Sequence, residues 1–329
     1  MSIRRGAVLA AALALALAAG LMACDGGDDP ESDEGSAIVS IGDSVASGEG
    51  NPAAKRPRWI DRRCHRAAIA GQTLAGEEAV RARPELRFVS FACSGATIER
   101  GLLGPYKGIE PALLRRPAPP QVHEVAALSR ASDGGIAAVL LSIGGNDIGF
   151  LKIVVFCASV RRCPARHFNP RFPFLEGGDK RPTLEETVRS RLDELDDRYR
   201  RLDAALEPLV DSERVVVVEY FDPTTAPDGS DCNAKVLRDG IRPDESRWAR
   251  ENVIAPLNAA IETAAAEHGW RLVDGVAERF RGHGVCAKGK RWVRVLGERP
   301  LTGTLHPNEA GHRQIAALIA PVLAEALNP

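Results

Sequence analysis

Five short apolar runs, rich in β-branched residues, punctuate the chain at 37–41, 86–92, 137–143, 214–220 and 270–273. Each ends in glycine or a polar loop, and near-continuous stretches such as Val-Leu-Leu-Ser-Ile at 139–143 and Val-Val-Val-Val at 215–218 predict strands buried on both faces of a parallel sheet. Between them the period changes. Leu184, Val188, Leu192, Leu195, Tyr199, Leu202 and Leu206 step by three and four, which predicts one amphipathic helix over 184–209. Thr183 followed by Glu186 supplies a capping box at its start. Ile315, Ile319, Val322 and Leu323 mark a last helix after Pro307. Alternating strand and helix predicts a three-layer α/β/α sandwich on a central parallel sheet of about five strands, with functional loops leaving the strands' carboxyl ends.

The amino end reads differently. Arg4-Arg5 precedes an Ala/Leu run that stops at Leu21-Met22-Ala23-Cys24, an export signal too short for a secure membrane span. Leu-x-Ala-Cys at this depth resembles the lipobox of bacterial lipoproteins, which implies acylation of Cys24 and a membrane contact through an N-terminal lipid anchor. A plain signal peptide cut nearby is the alternative. Residues 25–35 carry six acids and no base, so they repel one another and form a flexible tether. The domain plan is therefore signal 1–23, tether 24–35 and one domain over 36–329.

With 329 residues, 43 basic and 44 acidic side chains and 44% hydrophobic residues, the composition is that of a globular chain. Removing the signal takes two positive charges with it, and no basic, aromatic-studded run occurs, so nucleic acid is excluded as a partner. Beyond Cys24 the cysteines are Cys64, Cys93, Cys157, Cys163, Cys232 and Cys286, an even number in an exported chain. Three disulfides are the natural reading; zinc or thiol-redox chemistry is the alternative, lacking Cys-x-x-Cys spacing and a nearby histidine at ligand spacing.

Chemistry gathers at the strand ends. Gly42-Asp43-Ser44 follows the first, Cys93-Ser94-Gly95 the second and Gly144-Gly145-Asn146-Asp147 the third, and Leu305-His306-Pro307-Asn308 precedes the last helix. A serine beside a histidine base can act as a nucleophile, and backbone N–H groups with an asparagine amide can hold an oxyanion. No Gly-x-Ser-x-Gly elbow is present, which argues against the α/β-hydrolase fold.

Taken in order, these blocks resemble the SGNH/GDSL hydrolase family, whose fold is flavodoxin-like. The words GDSVASGEGNP (42–52), Cys64-His65-Arg66, CSGAT (93–97), IGGNDIGF (143–150) and GHGVC (282–286) are similar to a secreted, disulfide-containing esterase and lipase branch. The resemblance implies Ser44 as nucleophile, His306 as general base and later acid, and an oxyanion hole made by the Ser44 and Gly95 N–H groups with the Asn146 side chain. Asp43 would shape the nucleophile turn. Most members carry an aspartate three residues before the histidine; Gly303 stands there, and the branch uses a carbonyl at this place, so a Ser44–His306 dyad with the Gly303 carbonyl on the imidazole is expected. Asp274, after the fifth strand, is the alternative carboxylate.

The resemblance also implies the pairs Cys64–Cys93, Cys157–Cys163 and Cys232–Cys286, an ester of a lipid or an acylated carbohydrate as substrate, no cofactor or metal, and a monomer. His65, His283 and His312 are read as structural. Phe156, Phe168, Phe172 and Phe174, around the irregular stretch 157–181, either line an acyl pocket or pack that stretch onto the body. Hydrolysis of carboxylic esters through an acyl-enzyme is the leading reading. Acyl transfer, carbohydrate deacetylation and a non-catalytic binding lipoprotein are the alternatives.

Overall fold

Two largely apolar segments form the centre of the sheet. β1 (Ser36–Gly42) and β3 (Ile136–Ser142) lie side by side, buried along nearly their whole length, with β2 (Leu86–Ser90) outside β1 and β4 (Val215–Val218) then β5 (Arg271–Val273) outside β3. All four pairings are parallel. The computed structural model describes residues 35–51, 58–110, 116–233, 240–295 and 298–328 of one compact unit, Asp33–Pro329. The signal at 1–23 and all but Gly35 of the tether at 24–35 lie outside the described residues.

The helices follow in chain order as α1 (Ser44–Ser47), α2 (Gly71–Ala82), α3 (Gln121–Ala131), α4 (Gly145–Ile148), α5 (Phe150–Ser159), α6 (Leu184–Asp193), α7 (Leu195–Leu206), α8 (Pro243–Ala249), α9 (Ala255–His268), α10 (Val276–Arg279) and α11 (Glu309–Ala326). α2 and α11 pack on each other and on the sheet, while α3 and α9 reach the sheet through other strand pairs and α7 packs on α9, giving the three layers. The sheet runs β2-β1-β3-β4-β5, so the chain winds outward from β1 to β2 and then returns past β1 to β3. The winding direction reverses between β1 and β3, and the loops leaving their carboxyl ends diverge and open a crevice.

The expected single helix over 184–209 is two helices, α6 and α7, joined at Glu194. The apolar phase runs through the joint, but the halves have different work: α6 packs on α4 and on the 3-10 turn Cys163–Ala165, α7 on α9. The capping box at Thr183 and Glu186 is present. Between α8 and α9 the helix widens into a π turn, Arg250–Ile254, which presses Val253 and Ile254 inward.

Candidate active site

Where β1 ends, Gly42 takes a φ of 138°, and a Cβ there would lie 2.1 Å from the Ser142 carbonyl oxygen. The Gln121 side chain clamps this residue from both sides, donating to the Gly42 carbonyl at 2.9 Å and accepting its N–H at 2.7 Å. Asp43 Oδ1 then accepts the Val45 N–H at 3.0 Å and caps the one-turn helix that begins with Ser44. Its Oδ2 accepts the Tyr220 hydroxyl at 2.5 Å, and that hydroxyl oxygen accepts the Gly145 N–H at 2.9 Å. Burial pushes the Asp43 carboxyl up to about 7, against the Tyr220 and Val45 donors that favour its charge. Asp43 thus ties the serine turn to the Asn146 loop.

Gly95 has a φ of 82°, and a Cβ there would meet the Tyr106 hydroxyl at 2.4 Å. The Asn146 side chain donates one N–H to the Ala96 carbonyl at 3.0 Å, which orients the amide and leaves its second N–H for another acceptor. Asp147 accepts the Ile98 N–H and pairs with Arg198 at 3.2 Å, so the second and third loops are laced together; burial, opposed by these partners, raises its carboxyl to about 6. Among the described residues, no group takes the N–H of Ser44 or of Gly95.

His306 follows Leu305, whose φ of 63° is unusual for a branched residue. Its Nδ1 lies 3.2 Å from the Thr304 carbonyl, while the Gly303 carbonyl accepts the His306 backbone N–H at 3.0 Å. The Thr304 carbonyl thus meets the imidazole nitrogen directly, and the Gly303 carbonyl acts on the same ring beside it. Burial lowers the His306 pKa below 6.5, opposed by the charge of Glu49 and by the Thr304 and Gly303 carbonyls. With Nδ1 turned to Thr304, Nε2 is the nitrogen left for substrate chemistry.

Ser44, Gly95, Asn146 and His306 line one cavity of about 160 Å³. Its apolar wall is Phe150, Leu151, Phe221, Ile254 and Leu257, none of them among the aromatic residues singled out from the sequence. Phe156 and Phe168 instead pack edge to face in the core at 5.1 Å, and Phe172 and Phe174 are exposed, so the acyl-pocket reading of these four gives way to packing for two and to neither role for the others. Asp274 is exposed and does not line the cavity, which removes it as the carboxylate behind His306. His312 is buried in α11, accepting the Gly71 N–H at 3.1 Å, and burial depresses its pKa to about 3. His283 stacks on Trp292 at 3.6 Å.

Comparison with known proteins decides the family. The model of the GDSL-like lipase/acylhydrolase family matches residues 40–314. The chain belongs to this family. Among solved structures it is similar to the extracellular lipase of Streptomyces rimosus, at 23% identity over 88% of this chain and 99% of that one with a TM-score of 0.51. It is also similar to the phospholipase A1 of Streptomyces albidoflavus, at 21% identity over 89% and 99% with a TM-score of 0.51. No curated protein matches.

In this GDSL-family chain the position where most members place an aspartate is closed to one. Gly303 packs against Gly50 so tightly that a Cβ on Gly303 would lie 2.4 Å from the Gly50 Cα. The carboxylate that does stand in the site is Glu49, which sequence reasoning passed over. Its buried side chain accepts hydrogen bonds from Thr302 Oγ1 and Ser94 Oγ, each at 2.7 Å, and contacts His65 Nδ1 at 2.7 Å, while its N–H donates to the Ser44 carbonyl at 3.0 Å. Burial opposes its ionisation, yet His65, the charge of His306, Ser94 and Thr302 together hold the carboxyl below 4.5. Burial likewise opposes charge on His65, but Glu49 and Glu110 raise its pKa above 6.5. The signal for this pair was present, an acid in the GDSVASGEGNP word and a histidine beside Cys64; Gln121 and Tyr220 left none.

Three disulfides join Cys64 to Cys93, Cys157 to Cys163 and Cys232 to Cys286, as befits a chain of an oxidising, extracytoplasmic compartment. The first fastens the loop carrying His65 to the loop carrying Gly95.

Proposed function

We propose that this GDSL-family protein hydrolyses carboxylic esters through an acyl-enzyme on Ser44. The carrying observation is the convergence of Ser44, His306, two untaken N–H groups and the Asn146 amide on one cavity with an apolar wall. His306 Nε2 takes the Ser44 hydroxyl proton as Oγ attacks the ester carbonyl carbon. The negative oxygen is received by the Ser44 and Gly95 N–H groups and Asn146. Collapse breaks the bond to the alcohol oxygen, which leaves with the proton from the imidazolium. Water, deprotonated by His306, then releases the acid and regenerates the serine. The Thr304 carbonyl holds the ring in the tautomer that presents Nε2 as base and steadies the cation that forms, the task a carboxylate has in the Ser-His-Asp arrangement.

The test is labelling with a fluorophosphonate. Wild type should label, and Ser44→Ala and His306→Ala should not; an unlabelled, folded, disulfide-intact wild type would overturn the proposal. The same reading makes Cys24 the acylated first residue of a membrane-tethered, monomeric lipoprotein. Wild type should partition with membranes and Cys24→Ala should not.

A further inference from the structure

Among the described residues seven large hydrophobic side chains stand exposed, and three of them, Phe172, Phe174 and Leu175, fall within four consecutive positions. They are 45%, 54% and 54% exposed, and none joins the hydrophobic core. The Phe172 and Phe174 rings meet edge to face at 6.2 Å. The segment that carries them is held firmly at its neck. Phe168 is buried against Phe156, its N–H donates to the Pro182 carbonyl at 3.0 Å, the Gly177 N–H donates to the His167 carbonyl at 2.7 Å, and the Cys157–Cys163 bridge closes the root. At the tip Asn169 Oδ1 accepts the N–H groups of Arg171 at 3.2 Å and Phe172 at 3.3 Å, and the Leu175 N–H donates to the Phe172 carbonyl at 3.0 Å. The backbone is ordered by its own hydrogen bonds while the apolar side chains are left in water, so a partner that covers them pays little for ordering the loop.

The same stretch is cationic. Residues 161–181 carry Arg161, Arg162, Arg166, Arg171, Lys180 and Arg181 against Glu176 and Asp179, all exposed, in a chain whose formal charge is only −1. Arg166 pairs with Glu176 at 3.4 Å, and the Arg171 guanidinium lies over the Phe172 ring at 5.6 Å. Arg161, Arg162, Lys180 and Arg181 make no ion pair among the described residues. A cationic collar around three exposed apolar side chains complements a surface that offers anions outside and hydrocarbon beneath. A soluble polyanion would use the collar and leave the apolar tip wet. A neutral protein groove would use the tip and leave the collar idle.

We propose that residues 161–181 dock the folded domain on an anionic lipid bilayer, with Phe172, Phe174 and Leu175 seated among the acyl chains and the flanking cations on the headgroups. The segment is rooted on α5, the helix whose first residues Phe150 and Leu151 line the catalytic cavity, so the grip and the site share one support.

The test uses the chain from Asp25 onward, which keeps the compact unit Asp33–Pro329 and carries no acyl group. It is sedimented with vesicles of phosphatidylcholine, alone or with about one-third phosphatidylglycerol. Each cation near an anionic surface adds up to about fivefold to the partition coefficient, so the anionic vesicles should bind at least about tenfold more tightly than the neutral ones. The triple variant Phe172→Ser, Phe174→Ser, Leu175→Ser should bind the anionic vesicles at least about tenfold more weakly than wild type. So should Arg171→Glu with Lys180→Glu. Vesicles with brominated acyl chains should quench the added indole of Phe172→Trp beyond any quenching of wild type. Ser44→Ala should sediment as wild type does, because docking makes no use of the serine; its failure to do so would mean that the vesicle is held as substrate, and would overturn the docking surface. Wild type that ignores anionic vesicles, or a triple serine variant that binds them undiminished, would overturn it too. Binding lost only in the charge variant, with no quenching and with equal affinity for soluble polyphosphate, would identify a polyanion site and overturn the bilayer.

Discussion

Glu49 accepts the Thr302 hydroxyl at 2.7 Å, across 253 residues of sequence, and so fastens the loop after the serine turn to the helical turn before His306. Its other oxygen accepts Ser94 Oγ, next to Gly95. One buried carboxylate therefore reaches the loops of Ser44, Gly95 and His306. Its charge also favours the imidazolium of His306. In wild type the acid limb of kcat/KM should have its midpoint below 6.5, because burial depresses the His306 pKa. Glu49→Gln removes a group that raises that pKa, so the midpoint should move lower still. The same change leaves Glu110 as the carboxylate partner of His65 and weakens the buried contact at its Nδ1, which should cost about 1–3 kcal/mol of stability. A pH-rate profile and a urea titration check both.

Restoring the family's aspartate should fail. In Gly303→Asp the new Cβ meets the Gly50 Cα, so the loop must shift before the carboxylate can reach the imidazole. A loss of about 1–3 kcal/mol from overpacking is expected, together with a fall in activity. A gain in kcat would contradict the packing.

Asp43 makes a pH prediction of definite sign. Its folded-state value of about 7 lies above the ordinary 3.8, so between these limits the native state holds a proton that the unfolded chain has lost. Its contribution to stability is thus full at low pH and falls as pH rises from about 4 to about 7. Asp43→Asn does not titrate. The stability difference, wild type minus variant, should shrink across that range and level off above it, measured by urea unfolding at fixed pH steps.

The disulfides should differ in worth. Cys232–Cys286 closes a separation of 54 residues and Cys157–Cys163 one of 6. Chain-entropy scaling gives about 4 kcal/mol for the longer and about 2 for the shorter, so paired Cys→Ala replacements should lower unfolding midpoints in that order.

The central strands β1, β3 and β4 were readable because burial on both faces leaves a nearly unbroken apolar run, and the four candidate-site blocks because each closes a strand or opens the last helix. What was not readable depends on the path of the backbone in space. The break at Glu194 is silent in a stripe whose step of three and four continues across it. That the Thr304 carbonyl joins Gly303 at the imidazole depends on the path of this turn, in which Leu305 has a φ of 63°. Glu49 looked like an acid in a glycine-rich turn, since its partners His65, Ser94 and Thr302 lie 16, 45 and 253 residues away. Phe156, Phe168, Phe172 and Phe174 left two readings open because aromatic character marks core and pocket alike; packing holds for the first two.

The three bridges neither nest nor cross: from Cys64 onward the cysteines pair in chain order, first with second, third with fourth and fifth with sixth. In a chain delivered amino end first through a membrane, each of these bridges can close before the following pair emerges. Sequential pairing of this kind lowers the number of wrong pairs that an isomerase would have to undo. A copy retained in a reducing cytosol would lack the covalent ties that hold its loops in register.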